Sequence, residues 1–331
     1  MEPADRATPD RRGEPIPEFL LPGTAGSLST FYELYCGRPT VIVGAAAVEQ
    51  LAQLRAIAGH VDCLGVVTER SGSAEGLPFP VIRADGDLLA ALFPEGLAFD
   101  LMPVALLLDA RLRIADRVFR ATPERVLAVL TGCDSPAPEM RYVTRAAPVL
   151  MIPDVFSDSL CRRLIERHHS DAAPSGMIRL RNGRPELVPD PRVKVRQDHA
   201  LTDPSLVVEV ERALVSRILP AIRQAFCFEV DRHEGFKVVR YDADAGGHFA
   251  LHRDNVTPDA AHRRFALSVN LDGEHEGGHL RFPEFDDADY HPPAGGAIVF
   301  SGALLHRAVP VTRGSRYVLL TFLWNSGRPV A

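Results

Sequence analysis

The chain predicts two successive folds, an α/β sandwich over residues 15–133 and a β-barrel with supporting helices over residues 145–331. Three observations carry that prediction. In the first half, short apolar runs alternate with stretches of helical spacing. In the second, apolar runs such as Phe265 to Leu271 and Tyr317 to Leu323 follow one another across turns bearing Gly and Pro. Between the halves, Cys133 to Thr144 is polar and broken by Pro136 and Pro138, which marks residues 134–144 as a linker. Residues 1–14 are polar and charged, with no apolar stretch, and read as a disordered tail.

The first half begins with Thr40-Val41-Ile42-Val43, a buried strand, followed by Val48 to Ala58 with helical apolar spacing. Val61 to Val67 is a second strand and Phe79 to Ile82 a short extended segment. Asp87 to Phe93 reads as helical after the turn former Asp85-Gly86. Met102 to Asp109 is an apolar strand entered through Pro103, and Thr122 to Leu130 a helix with Pro123 in its first turn, where a missing N–H is tolerated. A β-α-β order followed by a hairpin and a last helix makes an α/β sandwich.

In the second half, Pro148 to Pro153 leads into a helix from Ser157 to His168, with Ser157 or Asp158 as its cap and Leu160, Leu164 and Ile165 on its buried side. A second helix is expected from Ser205 to Phe226. Ala172 to Pro191, rich in Gly, Pro, Asn and charge, reads either as a lid over substrate or as a plain solvated loop. In Phe265 to Leu271 the residues Phe265, Leu267, Val269 and Leu271 alternate with Ala266, Ser268 and Asn270. One face must line the barrel. If it is the second, Ser268 and Asn270 are candidates for co-substrate or substrate contacts; otherwise they face solvent.

His252-Arg253-Asp254 carries the chemistry. Alternate residues of a strand point the same way, so His252 and Asp254 can reach one ion while Arg253 faces away. His306 follows the apolar run Ala297 to Phe300 and the turn Ser301-Gly302, which suits a ligand from a different strand. Two imidazoles and one carboxylate leave three positions open on Fe(II), enough for a bidentate 2-oxo acid and O2. The same side chains also accept Mn(II), Co(II) or Zn(II), because affinity alone does not select iron. Arg316 heads the strand Tyr317 to Leu323, where a guanidinium can clamp a carboxylate with two parallel hydrogen bonds.

The order Tyr241, Gly246-Gly247, His252-x-Asp254, Gly277-Gly278-His279-Leu280-Arg281-Phe282-Pro283, Pro293 to Phe300, His306, Pro310-Val311 and Arg316 resembles the Fe(II)- and 2-oxoglutarate-dependent dioxygenases, in their prolyl 4-hydroxylase-like branch. The resemblance covers about Pro148 to Asn325 and implies a double-stranded β-helix (jelly-roll) domain. It also implies metal ligands at His252, Asp254 and His306, and co-substrate contacts at Arg316, which is lysine in many prolyl hydroxylases, and at Tyr241, though at a longer gap from the first ligand than the family usually has. Ser268 is a further co-substrate candidate. Arg196, in Val193-Lys194-Val195-Arg196, is a candidate for binding a substrate carboxylate, against the alternative of a surface salt bridge, and Asn270 a second substrate candidate. The implied cofactors are Fe(II), 2-oxoglutarate and O2, with ascorbate as an auxiliary. The implied reaction hydroxylates a C–H bond of an amino acid, a peptidyl residue or a small metabolite and releases succinate and CO2.

Residues 15–133 resemble the thioredoxin-like fold, and Gly13-Glu14-Pro15-Ile16-Pro17-Glu18-Phe19 with Gly37-Arg38-Pro39-Thr40 is similar to a peroxiredoxin-type member. Pro103 matches the fold's cis-proline. The active-site thiol of that fold belongs in the loop after Thr40 to Val43, which here is Gly44-Ala45-Ala46-Ala47-Val48. The resemblance therefore implies a degenerate module for packing, homodimerisation, recruiting a partner protein or presenting substrate.

Composition narrows the rest. With 43 acidic against 37 basic residues the net charge is −6, which argues against a nucleic-acid surface. No apolar run is long enough for a bilayer span, and the five cysteines form no CxxC and no disulfide framework, which fits a cytoplasmic protein. Two other readings are a non-catalytic metal-binding, partner-recruiting protein, opposed by the full ligand set with Arg316, and a thiol peroxidase, opposed by the missing cysteine.

Overall fold

Apolar residues on both faces place Thr40–Ala45 and Val104–Leu108 at the centre of the first sheet, since every position of both strands is buried. The computed structural model describes residues 11–22, 28–68, 74–94, 102–130, 143–181 and 184–327, and the chain divides into two units, Met1–Met140 and Arg141–Ala331. In the first unit the sheet runs Val81–Arg83, Asp62–Val67, Thr40–Ala45, Val104–Leu108, Ile114–Val118. The first three strands are parallel and the last two antiparallel. Val41 and Val43 pack with Leu51, Leu54 and Val126 on one face, while Ile42 packs with Phe31, Leu64 and Leu106 on the other. After Val48–Leu51 the chain tightens into a 3₁₀ helix over Ala52–Gly59.

Two expectations are corrected here. The tail does not extend to residue 14: Gly13 N donates to Ile114 O (2.7 Å) and Ile114 N to Glu14 O (2.8 Å), which completes part of the open edge of the sheet. Residues 1–10 lie outside the described residues, as does most of the 134–144 linker. Pro103 is not a cis-proline; among the described residues no peptide bond is cis.

In the second unit, Ser157 caps the helix Asp158–Asp171 by accepting from Leu160 N (3.3 Å). Asp203 caps Pro204–Ala213 through Ser205 N and Leu206 N. That helix passes through one wide turn, Leu214–Ile218, into Leu219–Phe226. Pro220 accounts for the wide turn, because its ring would collide with the preceding turn of a regular helix. Leu160, Leu164, Leu206, Val210, Ile218 and Ile222 cover one face of a large antiparallel sheet, against Phe265, Leu267, Val269 and Leu319.

The large sheet runs Leu150–Ile152, Ala297–Ser301, Phe265–Asn270, Ser315–Trp324, Lys237–Asp242, Gln197–Ala200, Ala173–Pro174. A smaller sheet runs Lys194–Val195, His248–His252, His306–Ala308, Leu280–Arg281. Val239, Tyr241, Ala266, Ile298 and Val318 of the large sheet pack with Leu280 and Ala308 of the small one, so the two sheets enclose a common interior, as a jelly-roll requires. The second face of Phe265–Asn270 therefore lines that interior. Between Ala172 and Pro191 the backbone forms a hairpin, Met177–Arg181 paired with Arg184–Val188, in place of an unstructured loop. Among the described residues no helix is long and apolar enough to cross a membrane.

Candidate metal centre

Strand pairing assembles the site. His252 ends His248–His252, His306 begins His306–Ala308, and the two stand directly opposite each other in the ladder, after an irregularity between Phe249 and His252. Asp254 lies just past the strand, its N–H donating to Gly302 O (2.9 Å). A Cβ at Gly302 would come within 3.0 Å of Arg263 O, so the two turns meet closely. Arg263 pairs with Glu234 (2.6 Å), lies 3.8 Å over the Phe322 ring and donates to Asp254 O (3.3 Å), which holds this turn from behind.

His252 Nε2 lies 3.5 Å from Asp254 Oδ1 and His306 Nε2 3.5 Å from Asp254 Oδ2. One donor atom from each residue falls within 4.8 Å of the others, the span of three ligands around one ion. His252 Nδ1 is 2.7 Å from Ala250 O and His306 Nδ1 2.9 Å from Leu304 O. A carbonyl only accepts, so each Nδ1 carries the proton and each Nε2 offers a lone pair. Burial alone would raise the Asp254 carboxyl, but the adjoining His252 and His306 side chains outweigh it and hold the group below its ordinary value. Burial pushes the His306 imidazole down, against the pull of Asp254. Both shifts favour the ligating forms. Phe249 stacks on His252 at 3.6 Å and Phe300 meets His306 edge-on at 4.6 Å, which gives the imidazoles apolar walls. Arg253 faces away and bonds Glu284 (2.6 and 3.0 Å), whose Oε2 also accepts from Leu305 N (3.1 Å).

Arg316 is 2% exposed, paired in register with Tyr241, and its guanidinium lies 5.7 Å from that ring. Its Nη2 donates to Asn270 Oδ1 (3.1 Å), its Nε is buried without a partner, and among the described residues no carboxylate forms an ion pair with it. Burial lowers its pKa, offset by Tyr241 and Asp272, yet a guanidinium stays charged. A buried cation without a direct ion pair is costly, and an acidic ligand offsets the cost. Gly278, at φ +71°, permits this placement, since a Cβ there would lie 2.9 Å from Arg316 Cδ. The donor set and this orphaned guanidinium fit a divalent metal together with a 2-oxo dicarboxylate.

Tyr241 is 3% exposed and its hydroxyl accepts from Arg196 Nη1 (3.1 Å). Arg196 is not on the surface: its side chain is buried, it pairs with Asp198 (2.9 Å), and it lies over the Phe249 ring (5.3 Å). Its charge is thus already matched. Ser268 Oγ is buried with no partner, while Asn270 donates to Pro292 O (2.6 Å) as well as accepting from Arg316. Lys194 was missed. Its ammonium sits 5.5 Å over the same Phe249 ring with no ion pair among the described residues, and burial, then Arg196, bring its pKa down to about 8. Its alternation with Arg196 was the available signal.

Residues 236–324 match the family model described as "2OG-Fe(II) oxygenase superfamily". Over 91 residues the chain is 34% identical to the multifunctional procollagen lysine hydroxylase and glycosyltransferase LH3 of Rattus norvegicus, a match covering 26% of this chain and 11% of that protein. Over 193 residues it is 26% identical to a PKHD-type hydroxylase of Xanthomonas campestris pv. campestris, covering 53% of this chain and 77% of that one. Among solved structures it is similar to a Pseudomonas putida prolyl-4-hydroxylase, with a TM-score of 0.40, 20% identity and coverage of 55% of this chain and 95% of that one. A viral collagen prolyl hydroxylase from Paramecium Bursaria Chlorella virus-1 gives a TM-score of 0.41 and 18% identity, covering 54% and 96%. It is thus the segment 236–324, which holds all three candidate metal ligands, that is similar to the 2OG-Fe(II) oxygenase superfamily.

Proposed function

We propose that the protein is an Fe(II)- and 2-oxoglutarate-dependent hydroxylase acting on a C–H bond of an amino acid, a peptidyl residue or a small metabolite, with release of succinate and CO2. His252, Asp254 and His306 hold the metal. Arg316 pairs the distal carboxylate of 2-oxoglutarate, Tyr241 and Ser268 line the same interior, and Asn270 fixes the Arg316 guanidinium. The observation that carries this reading is the pairing of a three-ligand cluster with a buried guanidinium that makes no direct ion pair among the described residues.

The iron and its co-substrate supply the oxidising power that breaks an unactivated C–H bond. The chain supplies the rest. Nδ1–H bonds to Ala250 and Leu304 lock the imidazole orientations, and the Phe249 and Phe300 rings give each imidazole an apolar wall. Arg196, engaged by Asp198 and Tyr241, keeps the Tyr241 hydroxyl and the Phe249 ring in place, and we assign it this positioning part alongside any contact with a substrate carboxylate.

For the first unit we infer a thioredoxin-like fold without thiol chemistry, used to bind a second copy or a partner protein. The support is its sheet order and the loop after Thr40–Ala45, which carries no cysteine. Cys63 is buried and its thiol is pushed up to about 12, by burial and then by Asp62, so it stays protonated.

The test is succinate formation from 2-oxoglutarate by the anaerobically Fe(II)-loaded chain on exposure to O2, beside Asp254→Ala. Slow turnover that the variant loses is the expected result. Equal succinate from both would sink the assignment.

A further inference from the structure

Lys194 is one of two lysines in the chain, and it stands beside the metal ligands without a part in the chemistry proposed so far. The ladder sets it directly opposite Phe249, and Arg196 follows two residues later, so the three side chains leave one face of the backbone. Lys194 Nζ lies 5.5 Å from the centre of the Phe249 ring and Arg196 Cζ 5.3 Å. That ring stacks on His252 at 3.6 Å, so a single aromatic ring separates the ammonium from a metal ligand. The face is the inner one: Arg196 reaches the Tyr241 hydroxyl (3.1 Å), and Tyr241 and Phe249 both belong to the apolar cluster between the two sheets.

The two cations differ in what answers them. Arg196 is held by Asp198 (2.9 and 3.1 Å), which also accepts from Ser175 Oγ (2.8 Å). The Lys194 ammonium has neither a carboxylate nor a hydrogen-bond acceptor among the described residues, and although the residue is half-buried its Nζ keeps contact with solvent. Burial, then Arg196, bring its pKa down to about 8, as expected of a cation that lacks an anion. The missing anion is not the one assigned to Arg316. The charges that act on Lys194 are those of Arg196, Asp198 and Lys237, and Arg316, which lies against the Tyr241 ring, is not among them.

We propose that Lys194 selects the substrate: its ammonium pairs a carboxylate of the molecule to be hydroxylated, which is therefore a small free acid, an amino acid with its α-carboxylate intact, and not an internal peptidyl residue. This rests on the hydroxylase reading above and narrows its substrate class. With one ring between the ammonium and His252, the carboxylate and the C–H bond belong to the same small molecule. An internal residue would bring only neutral amides to this place and leave the charge unanswered. Arg196, already matched by Asp198, holds Tyr241 and Phe249 and leaves the free charge to Lys194.

The test measures succinate formation by the full-length Fe(II)-loaded chain with each proteinogenic L-amino acid and, beside it, the corresponding carboxamide, which keeps the shape and removes the negative charge. We expect at least one acid to accelerate turnover with an apparent KM about tenfold below that of its carboxamide, the scale of one charge-assisted pair. Lys194→Met should erase this preference and Lys194→Arg should keep it. In the Zn(II)- and 2-oxoglutarate-loaded chain, lysine labelled with 13C at Cε gives one signal for Lys194 and one for Lys237, and the accelerating acid should move the first. Carboxamides as effective as the acids, or a Lys194 signal that no acid moves, would overturn the proposal. So would equal weakening of acid and carboxamide in Lys194→Met, since the lysine would then only support the fold. Succinate formed without any added acid keeps the hydroxylase reading standing through each of these failures; a chain that forms none and binds no 2-oxoglutarate would overturn that reading, and this inference with it.

Discussion

At Arg316 the cost of burying a charge and the identity of the ligand are the same question. The guanidinium has a hydrogen bond to Asn270 and no direct ion pair among the described residues, which on the function proposed above leaves it free to pair with the co-substrate. Arg316→Ala should raise the apparent KM for 2-oxoglutarate by about tenfold or more while kcat falls much less, since the lost interaction is made equally in ground and transition states. Steady-state kinetics at varied 2-oxoglutarate separate the two. His291 offers a second measurement at this scale. Burial, then His279, hold its imidazole at about 4 against the ordinary 6.5, so protonation favours the unfolded chain. The stability it contributes is complete above about pH 6.5 and is lost as pH falls toward about 4. Denaturant titrations of the metal-free chain across that window should show a shallower loss for His291→Phe than for wild type.

At the scale of elements, the site depends on turns as much as on strands. Gly277 sits at φ +74°, and a Cβ there would lie 2.3 Å from Pro310 O, with Thr312 N at 3.0 Å. Backbone cannot retreat as a side-chain tip can. Gly277→Ala should therefore destabilise the second unit by about 1–3 kcal/mol, read from the midpoint of chemical denaturation. The paired register of His252 and His306 shows where sequence reading stops. That His252 and Asp254 share a face follows from strand periodicity and is local. That His306 stands opposite His252 depends on which strands pair, which no window of sequence encodes. Asn270 lay within reach of the alternation in Phe265–Asn270, whereas its bond to His291 did not, because His291 lies in a loop with no period. Gly13 and Glu14 were misread for a related reason: their polar character suggested a tail, and only the sheet edge they complete explains their order.

For the whole molecule, chemistry is concentrated in one of two units. The first has a mixed sheet with apolar cores on both faces, and its described thiols are Cys36, exposed, and Cys63, buried and protonated. The full chain should consume hydrogen peroxide no faster than its Cys36→Ser, Cys63→Ser double variant, and a rate that drops in the variant would restore a redox role to this unit. The strands of this unit were readable because they are buried on both faces and so appear as unbroken apolar runs.

The placement of His252 and His306 on facing rungs has a mechanical consequence. A metal held between them is a cross-link between two strands far apart in the chain, closing a loop that includes Phe265–Asn270 and Ala297–Ser301. Because the donors converge only in the folded register, the free energy of metal binding adds to that of folding. Iron bound there would act on the barrel as a rivet acts on a seam, resisting the parting of the smaller sheet.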